Sequence, residues 1–175
     1  VDRLILLMEQ LKQDGIRLKH LDLGGGLGVT YTYETPPHPT EYAKALWEKL
    51  SAFSELEIIV EPGRAITANA GILVTKVEYL KSNESRNFAI VDAGMNDMIR
   101  PALYEAYMNI IEIDRTLGRK KAIYDVVGPV CETSDFLGKQ RELAIVEGDY
   151  IAQRSAGAYG ASMSSNYNSR PRTAE

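Results

Sequence analysis

The sequence predicts an α/β region followed by a mainly β region, with the change near residue 70. Before that point two helical patterns alternate with two short apolar strands, an order typical of parallel α/β units. After it, several short apolar segments, many of them alternating, are separated by turns that contain Gly, Asn or Asp. We therefore expect two domains, residues 1–70 and residues 71–175.

The α/β region is predicted to contain two helices and two strands. Apolar residues recur at helical spacing up to Leu11, and Gly15 supplies a left-handed stop. A strand over 18–23 then runs into a glycine cluster. The second helix begins at Thr40, and a second strand covers 57–60.

The β region is predicted to contain five strands and one helix. The helix covers 101–109, because Pro101 is suited to a first helical position. The strands cover 72–80, 87–92, 122–127, 143–146 and 150–154.

Composition and charge argue against several classes of protein. Hydrophobic residues make up 45% of the chain and charged residues 25%, as in folded soluble domains. The net charge is −4 with no long basic run, which disfavours nucleic acid and anionic membranes as partners. The apolar run Leu4–Met8 is too short to span a membrane. A single cysteine forms no internal disulfide and fits a reducing cytoplasm, where we expect the protein to reside.

The two ends of the sequence lead us to expect a piece of a longer protein. There is no initiator Met, and residues 169–175 contain no predicted element. The β-domain is therefore expected to be incomplete at its C-terminus.

Two strand ends carry groups suited to a phosphorylated ligand. Gly24, Gly25 and Gly26 can bring backbone N–H groups close to an anion, because no Cβ stands in the way. Their spacing is not that of the dinucleotide fingerprint, and a tight turn explains them equally well when they are taken alone. Glu61 and Arg64 end the next strand on a rigid turn, where parallel α/β folds gather catalytic groups; a surface ion pair is the alternative.

The only cysteine, Cys131, is predicted to lie on a loop, because Gly128 and Pro129 end the preceding strand. A lone cysteine is more often a small buried hydrophobe. Here, however, Glu132 follows it directly and Asp135 lies close behind, with two hydroxyl residues between them. Together these groups are suited to proton transfer.

Arg100, Tyr104 and Tyr159 are candidate ligand contacts. An Arg at a helix N-terminus is disfavoured by the helix dipole unless it binds an anion, which favours a ligand with a carboxylate; an exposed Arg is the commoner case. Tyr104 follows four residues later on the same predicted helix. Tyr159 is flanked by small residues that would let its hydroxyl reach a ligand, although a packed core Tyr has the same pattern.

Seven motifs stand in the order seen in diaminopimelate decarboxylases, and the sequence resembles that family from about Leu23 to its end. These are pyridoxal 5'-phosphate (PLP) enzymes of the alanine-racemase-like fold. The resemblance implies that residues 1–70 are the last units of a (β/α)8 barrel and that 71–175 form the β-domain. The motifs are Leu23–Gly26, Glu61–Arg64, Val91–Asn96, Arg100–Tyr104, Gly128–Asp135, Gly157–Gly160 and Met163–Arg170.

The resemblance implies a set of cofactor contacts. The glycine cluster Gly24–Gly26 matches the loop that holds the PLP phosphate. Glu61 matches the acid that hydrogen-bonds the pyridine nitrogen, so that the protonated ring accepts the electrons left by CO2. Gly63, Arg64 and Tyr159 match further positions around the cofactor.

The resemblance also implies the substrate contacts. Arg64, Arg100, Tyr104 and Tyr159 match substrate-binding positions. Cys131 matches the proposed proton donor, and Glu132 matches the acid that holds the far amino group of the substrate. In this family Cys131 and Glu132 would enter the active site of a partner subunit, so the implied enzyme is a homodimer with shared sites.

The implied reaction is decarboxylation of meso-2,6-diaminopimelate to L-lysine and CO2, the last step of lysine biosynthesis. A substrate with an amino acid group at each end needs both an acid and an Arg at its far end. Decarboxylases of ornithine, arginine or carboxynorspermidine are the alternative within the fold, and a non-catalytic regulatory relative is the alternative outside enzymes. Glu61 argues against a racemase, which typically has an Arg at the pyridine nitrogen.

The lysine that holds PLP in this family lies upstream of the glycine cluster, outside this sequence. Lys44 stands in a similar string of residues but within an amphipathic helix, and we expect it to be solvated. His20 precedes the glycine cluster on the predicted strand and is expected to be structural. The fragment alone is therefore expected to be inactive.

Overall fold

The computed structural model describes residues 1–116 and 118–175, and they form two compact units. The first unit comprises residues 1–30 and 34–65. The second comprises residues 31–33 and 66–175.

The first unit is a small α/β assembly. Its strands are parallel, with His20 opposite Glu57, and this order confirms the α/β unit predicted from the sequence. Met8, Leu21 and Leu50 form its buried centre. The elements are α1 (Asp2–Gln13), β1 (His20–Asp22), α2 (Pro39–Leu50) and β2 (Glu57–Ile59).

Local sequence signals fix both helices of the first unit. Gly15 has φ +82° after α1, and the Ile16 N–H donates to the Leu11 carbonyl at 2.9 Å, the long bond of a Schellman stop. At the start of α2, the His38 N–H donates to Glu41 Oε2 at 3.0 Å. Helix α2 therefore begins one residue before the predicted Thr40, with His38 as its cap.

The second unit is built on one six-stranded sheet in the order β5-β8-β3-β4-β6-β7. Neighbouring strands are antiparallel except β4 and β6, which are parallel. The strands are β3 (Leu73–Ser82), β4 (Asn87–Val91), β5 (Ile110–Glu112), β6 (Ala122–Val127), β7 (Phe136–Leu143) and β8 (Tyr150–Gln153). The described residues also form two short α-helices, α3 (Gly63–Thr67) and α4 (Arg100–Tyr104), together with several single-turn 3-10 helices.

Four of the five predicted strands of this region are confirmed, with small shifts at their ends. The strand predicted at 143–146 is wrong, because β7 ends at Leu143 and the chain then leaves the sheet. The helix predicted over 101–109 is too long. It ends at Tyr104 because Glu105 adopts a left-handed conformation with φ 52°.

Buried apolar side chains of the second unit form one cluster. Fully buried members include Val77, Met98, Met108, Leu137 and Ile151. Among the described residues, no helix is long and apolar enough to cross a membrane.

Candidate active site

The glycine cluster forms an open backbone cradle. Gly24 and Gly26 have φ of +68° and +97°, a region that side chains disfavour. A Cβ on Gly25 would lie 2.6 Å from the Glu61 carbonyl oxygen. Among the described residues, the Gly25 and Gly26 N–H groups have no protein acceptor. Such a set of unpaired amides is suited to an anion such as a phosphate.

Backbone hydrogen bonds hold Glu61 beside this cradle. The Glu61 N–H donates to the Gly24 carbonyl at 2.8 Å, and the Gly63 N–H donates to the Glu61 carbonyl at 2.8 Å. Helix α3 begins at Gly63, so Arg64 lies in its first turn. From α2, the Tyr42 hydroxyl donates to the Gly25 carbonyl at 3.2 Å. The structure therefore places Gly24–Gly26 and Glu61 together, and this combination of amides and a carboxylate fits PLP.

Arg100 is buried, contrary to the exposed position that is commoner for Arg. It is 8% exposed, and its guanidinium carbon lies 4.9 Å from the ring centre of Tyr31 and 5.7 Å from that of Tyr159. Nη1 also donates to the sulfur of Met108 at 3.3 Å. In the part of the chain that the structure describes, Arg100 has no carboxylate partner. Because an unpaired buried cation is costly, this position favours a bound anion.

The two candidate tyrosines differ in setting. Tyr159 has φ +65° and is 38% exposed, so it is not a fully packed core residue. Its ring lies near Arg100, and this contact joins two of the sequence-predicted site residues. Tyr104 ends α4 with its side chain exposed. Tyr31, which sequence patterns did not single out, belongs to the same cation–aromatic cluster.

Cys131 lies exposed on the loop between β6 and β7, so the buried-hydrophobe alternative is wrong. Asp135 organises this loop. Its carboxylate accepts the Val130 N–H at 2.6 Å and the Met95 N–H at 2.6 Å, and the side chain is only 4% exposed. Burial raises the pKa of Asp135, against the lowering effect of these two hydrogen bonds.

Glu132 has a partner that sequence reasoning missed. The Tyr167 hydroxyl donates a short hydrogen bond to Glu132 Oε1. This bond and the charge of Glu132 raise the pKa of the Tyr167 hydroxyl. Tyr167 stands inside the motif Met163–Arg170, which was the only signal that could have identified it.

Arg170 ties this last motif to the loop after β4. Its Nε donates to Asn96 Oδ1 at 2.9 Å and its Nη2 donates to the Asp92 carbonyl at 2.6 Å. Nη2 also lies 3.7 Å from Asp97 Oδ2. Since Asp135 binds Met95 in the same loop, three of the seven motifs meet at residues 92–97.

A family model described as "Pyridoxal-dependent decarboxylase, C-terminal sheet domain" matches residues 14–157. The chain belongs to the pyridoxal-dependent decarboxylases. The family's cofactor agrees with the cradle and carboxylate of the first unit.

The curated relatives of this chain include diaminopimelate decarboxylases. The protein of that name from Haemophilus influenzae is 86% identical over 99% of this chain, and the one from Vibrio cholerae is 62% identical over 99%. The chain spans 42% of the length of each.

Solved structures similar to this chain include a protein of the same name. The diaminopimelate decarboxylase from Helicobacter pylori complexed with L-lysine superposes with a TM-score of 0.89 at 44% identity, over 97% of this chain and 42% of that one. A crystal structure from Aquifex aeolicus gives a TM-score of 0.91 at 50% identity, over 97% of this chain and 42% of that one. The predicted fold class, the last units of a PLP-binding barrel followed by a β-domain, is confirmed.

Proposed function

We propose that this chain is the C-terminal part of an enzyme that decarboxylates meso-2,6-diaminopimelate to L-lysine and CO2. A relative that is 86% identical carries the name of that activity. The observation that carries the proposal is Arg100, a buried guanidinium with two aromatic neighbours and no carboxylate partner among the described residues. A substrate carboxylate would neutralise it.

Cofactor contacts follow from the first unit. The loop Gly24–Gly26 would hold the phosphate of PLP through the Gly25 and Gly26 amides, since the Gly24 N–H already donates to Asp22 Oδ1 at 2.8 Å. Glu61 would hydrogen-bond the pyridine nitrogen. When bound, PLP supplies an electron sink for the pair left by departing CO2. Gly63 and Arg64 would add contacts around the phosphate, and Tyr159 a contact to cofactor and substrate.

Substrate contacts involve both charged ends of the molecule. Arg64, Arg100 and Tyr104 would bind carboxylate groups, since each presents donors suited to them. Glu132 would accept hydrogen bonds from the distal ammonium. Ornithine has such an ammonium but no distal carboxylate, so the arginines favour diaminopimelate.

Cys131 would complete the reaction as a proton donor. Its exposed thiol lies on a loop held by Asp135, and its proton would pass from Sγ to the carbon that has lost CO2. Solvent would then return a proton to the sulfur. We place Cys131 and Glu132 in the active site of a second subunit of a cytoplasmic homodimer, with residues 1–70 in the barrel and 71–175 in the β-domain.

The substrate is tested with the full-length enzyme that contains this chain. We expect it to release L-lysine and CO2 from meso-2,6-diaminopimelate and to act far more slowly on ornithine and arginine. Preferred release of an amine from ornithine or arginine would contradict the proposal, and absence of any turnover would favour a regulatory relative.

The role of Cys131 is tested with Cys131→Ala in the same enzyme. Loss of a general acid slows turnover by about 10²–10⁴-fold. PLP absorbance should be retained, since the thiol is not a proposed cofactor contact. Turnover equal to that of the wild type would remove Cys131 from the mechanism.

A further inference from the structure

The contact between Tyr167 and Glu132 involves only one of the two carboxylate oxygens. The Tyr167 hydroxyl donates to Oε1 of Glu132. Among the described residues, Oε2 has no hydrogen-bond donor. One oxygen is therefore held by the protein, and the other remains available for a ligand ammonium.

The backbone that carries Tyr167 is strained and anchored. Asn168 and Ser169 have φ of 58° and 57°, a left-handed conformation that Asn tolerates but Ser rarely adopts. Such strain persists only where the surroundings fix it, and it is common at functional sites. Here the Asn166 side chain donates to the Arg170 carbonyl at 3.0 Å.

Both ends of the segment are tied to a single residue outside it. The Ser165 N–H donates to the carbonyl of Asn96 at 2.9 Å, and Arg170 Nε donates to the side chain of the same Asn96 at 2.9 Å. Asn96 is itself buried, at 2% exposure. The Tyr167 hydroxyl is thus presented from a fixed turn.

Glu132, by contrast, would be mobile without this partner. Its side chain is exposed on the loop after β6, and Glu loses considerable rotamer freedom when it is fixed. A rigid donor that restrains one oxygen lowers the entropic cost of presenting the other to a ligand.

We propose that Tyr167 is a positioning residue that orients Glu132 toward the distal ammonium of the substrate and so contributes to specificity. This inference rests on the proposed function. It gives a role to a residue of the motif Met163–Arg170, which contains none of the cofactor and substrate contacts assigned above.

The test uses two ligands that differ only at the distal group. L-Lysine carries the ammonium, and L-norleucine has the same carbon chain without it. Binding of each is measured by calorimetry with the PLP-loaded full-length enzyme, as wild type and as Tyr167→Phe. We expect Tyr167→Phe to weaken L-lysine binding on the order of three- to ten-fold, because an exposed charge-assisted hydrogen bond is lost. Norleucine binding should not change.

Two further variants make the result specific. In a Glu132→Gln background, Tyr167→Phe should cause little additional loss, since the two side chains act as one unit. Tyr79→Phe removes a hydroxyl from an exposed Tyr on β3, 64% exposed, and should leave both affinities unchanged.

The outcomes separate this inference from the proposed function. Equal weakening of both ligands would show a merely structural role for Tyr167 and overturn the inference, as would an undiminished effect of Tyr167→Phe in the Glu132→Gln background. A wild-type enzyme that binds L-lysine no better than norleucine would instead contradict the proposed recognition of the distal ammonium by Glu132.

Discussion

Replacing Gly25 with Ala tests the phosphate cradle at its tightest point. The new Cβ would lie 2.6 Å from the Glu61 carbonyl oxygen, and that oxygen also accepts the Gly63 N–H at 2.8 Å. The two segments would have to separate by roughly 0.8–1.4 Å to reach ordinary van der Waals contact. Overpacking of this kind costs about 1–3 kcal/mol. We expect this cost to fall on the PLP-bound geometry, so that PLP affinity drops by about five- to a hundred-fold.

The assay is a titration of the full-length apoenzyme with PLP, followed by absorbance, with thermal unfolding of the apoenzyme measured in parallel. Gly28→Ala is the matched control in the same loop. Its Cβ would lie 3.5 Å from the Pro36 Cβ, an ordinary contact, so affinity should stay close to that of the wild type.

Unchanged PLP affinity in Gly25→Ala, with the protein folded, would refute the cradle as the phosphate site. Equal losses in Gly25→Ala and Gly28→Ala would show that the loop responds to any added side chain, and the argument from close approach would fail.

Two other substitutions in the full-length enzyme test the second unit. Gly157→Ala would place a Cβ well inside contact distance of the Thr67 carbonyl oxygen, which cannot move away as a side chain could, and the melting temperature should fall by several degrees. Asp135→Asn replaces one of the two oxygens that accept the Met95 and Val130 N–H groups, so the free energy of unfolding should drop by about 1–3 kcal/mol. A denaturant titration measures this, and stability equal to that of the wild type would count against the role of Asp135. Because burial raises the pKa of Asp135, its protonated form stabilises the folded state at low pH, and this contribution is lost as the group ionises with pH rising from 3.8 through the raised pKa. The difference in unfolding free energy between wild type and Asp135→Asn should therefore narrow as pH rises.

Sequence patterns predicted the regular elements whose apolar period is uninterrupted. Strand β6 was predicted with its observed limits, Ala122–Val127, and Gly15 marked the end of α1. Strand β7 was not predicted, because polar residues 139–142 interrupt its apolar pattern and Gln140 adopts φ 54°. The early end of α4 was not predicted either, since Glu105 adopts a left-handed conformation although it is not a glycine.

The candidate site was also predictable only in part from the sequence. Motif order identified Glu61, Arg100 and Cys131, but no pattern showed that Arg100 is buried against Tyr31, which lies far away in the sequence. The pairing of Tyr167 with Glu132 depends on a fold that brings together residues separated by 35 positions. Local sequence carries no information on such a contact.

In the proposed homodimer each chain contributes to two active sites, with Glu61 serving one and Cys131 serving the other. Mixing full-length Glu61→Ala and Cys131→Ala subunits under conditions of subunit exchange tests it directly. Each variant alone should be nearly inactive, and random pairing in a two-fold dimer should restore about a quarter of wild-type sites. Lysine release from meso-2,6-diaminopimelate that rises to this level on mixing is the predicted result. Activity that stays at the sum of the two separate variants would contradict the account.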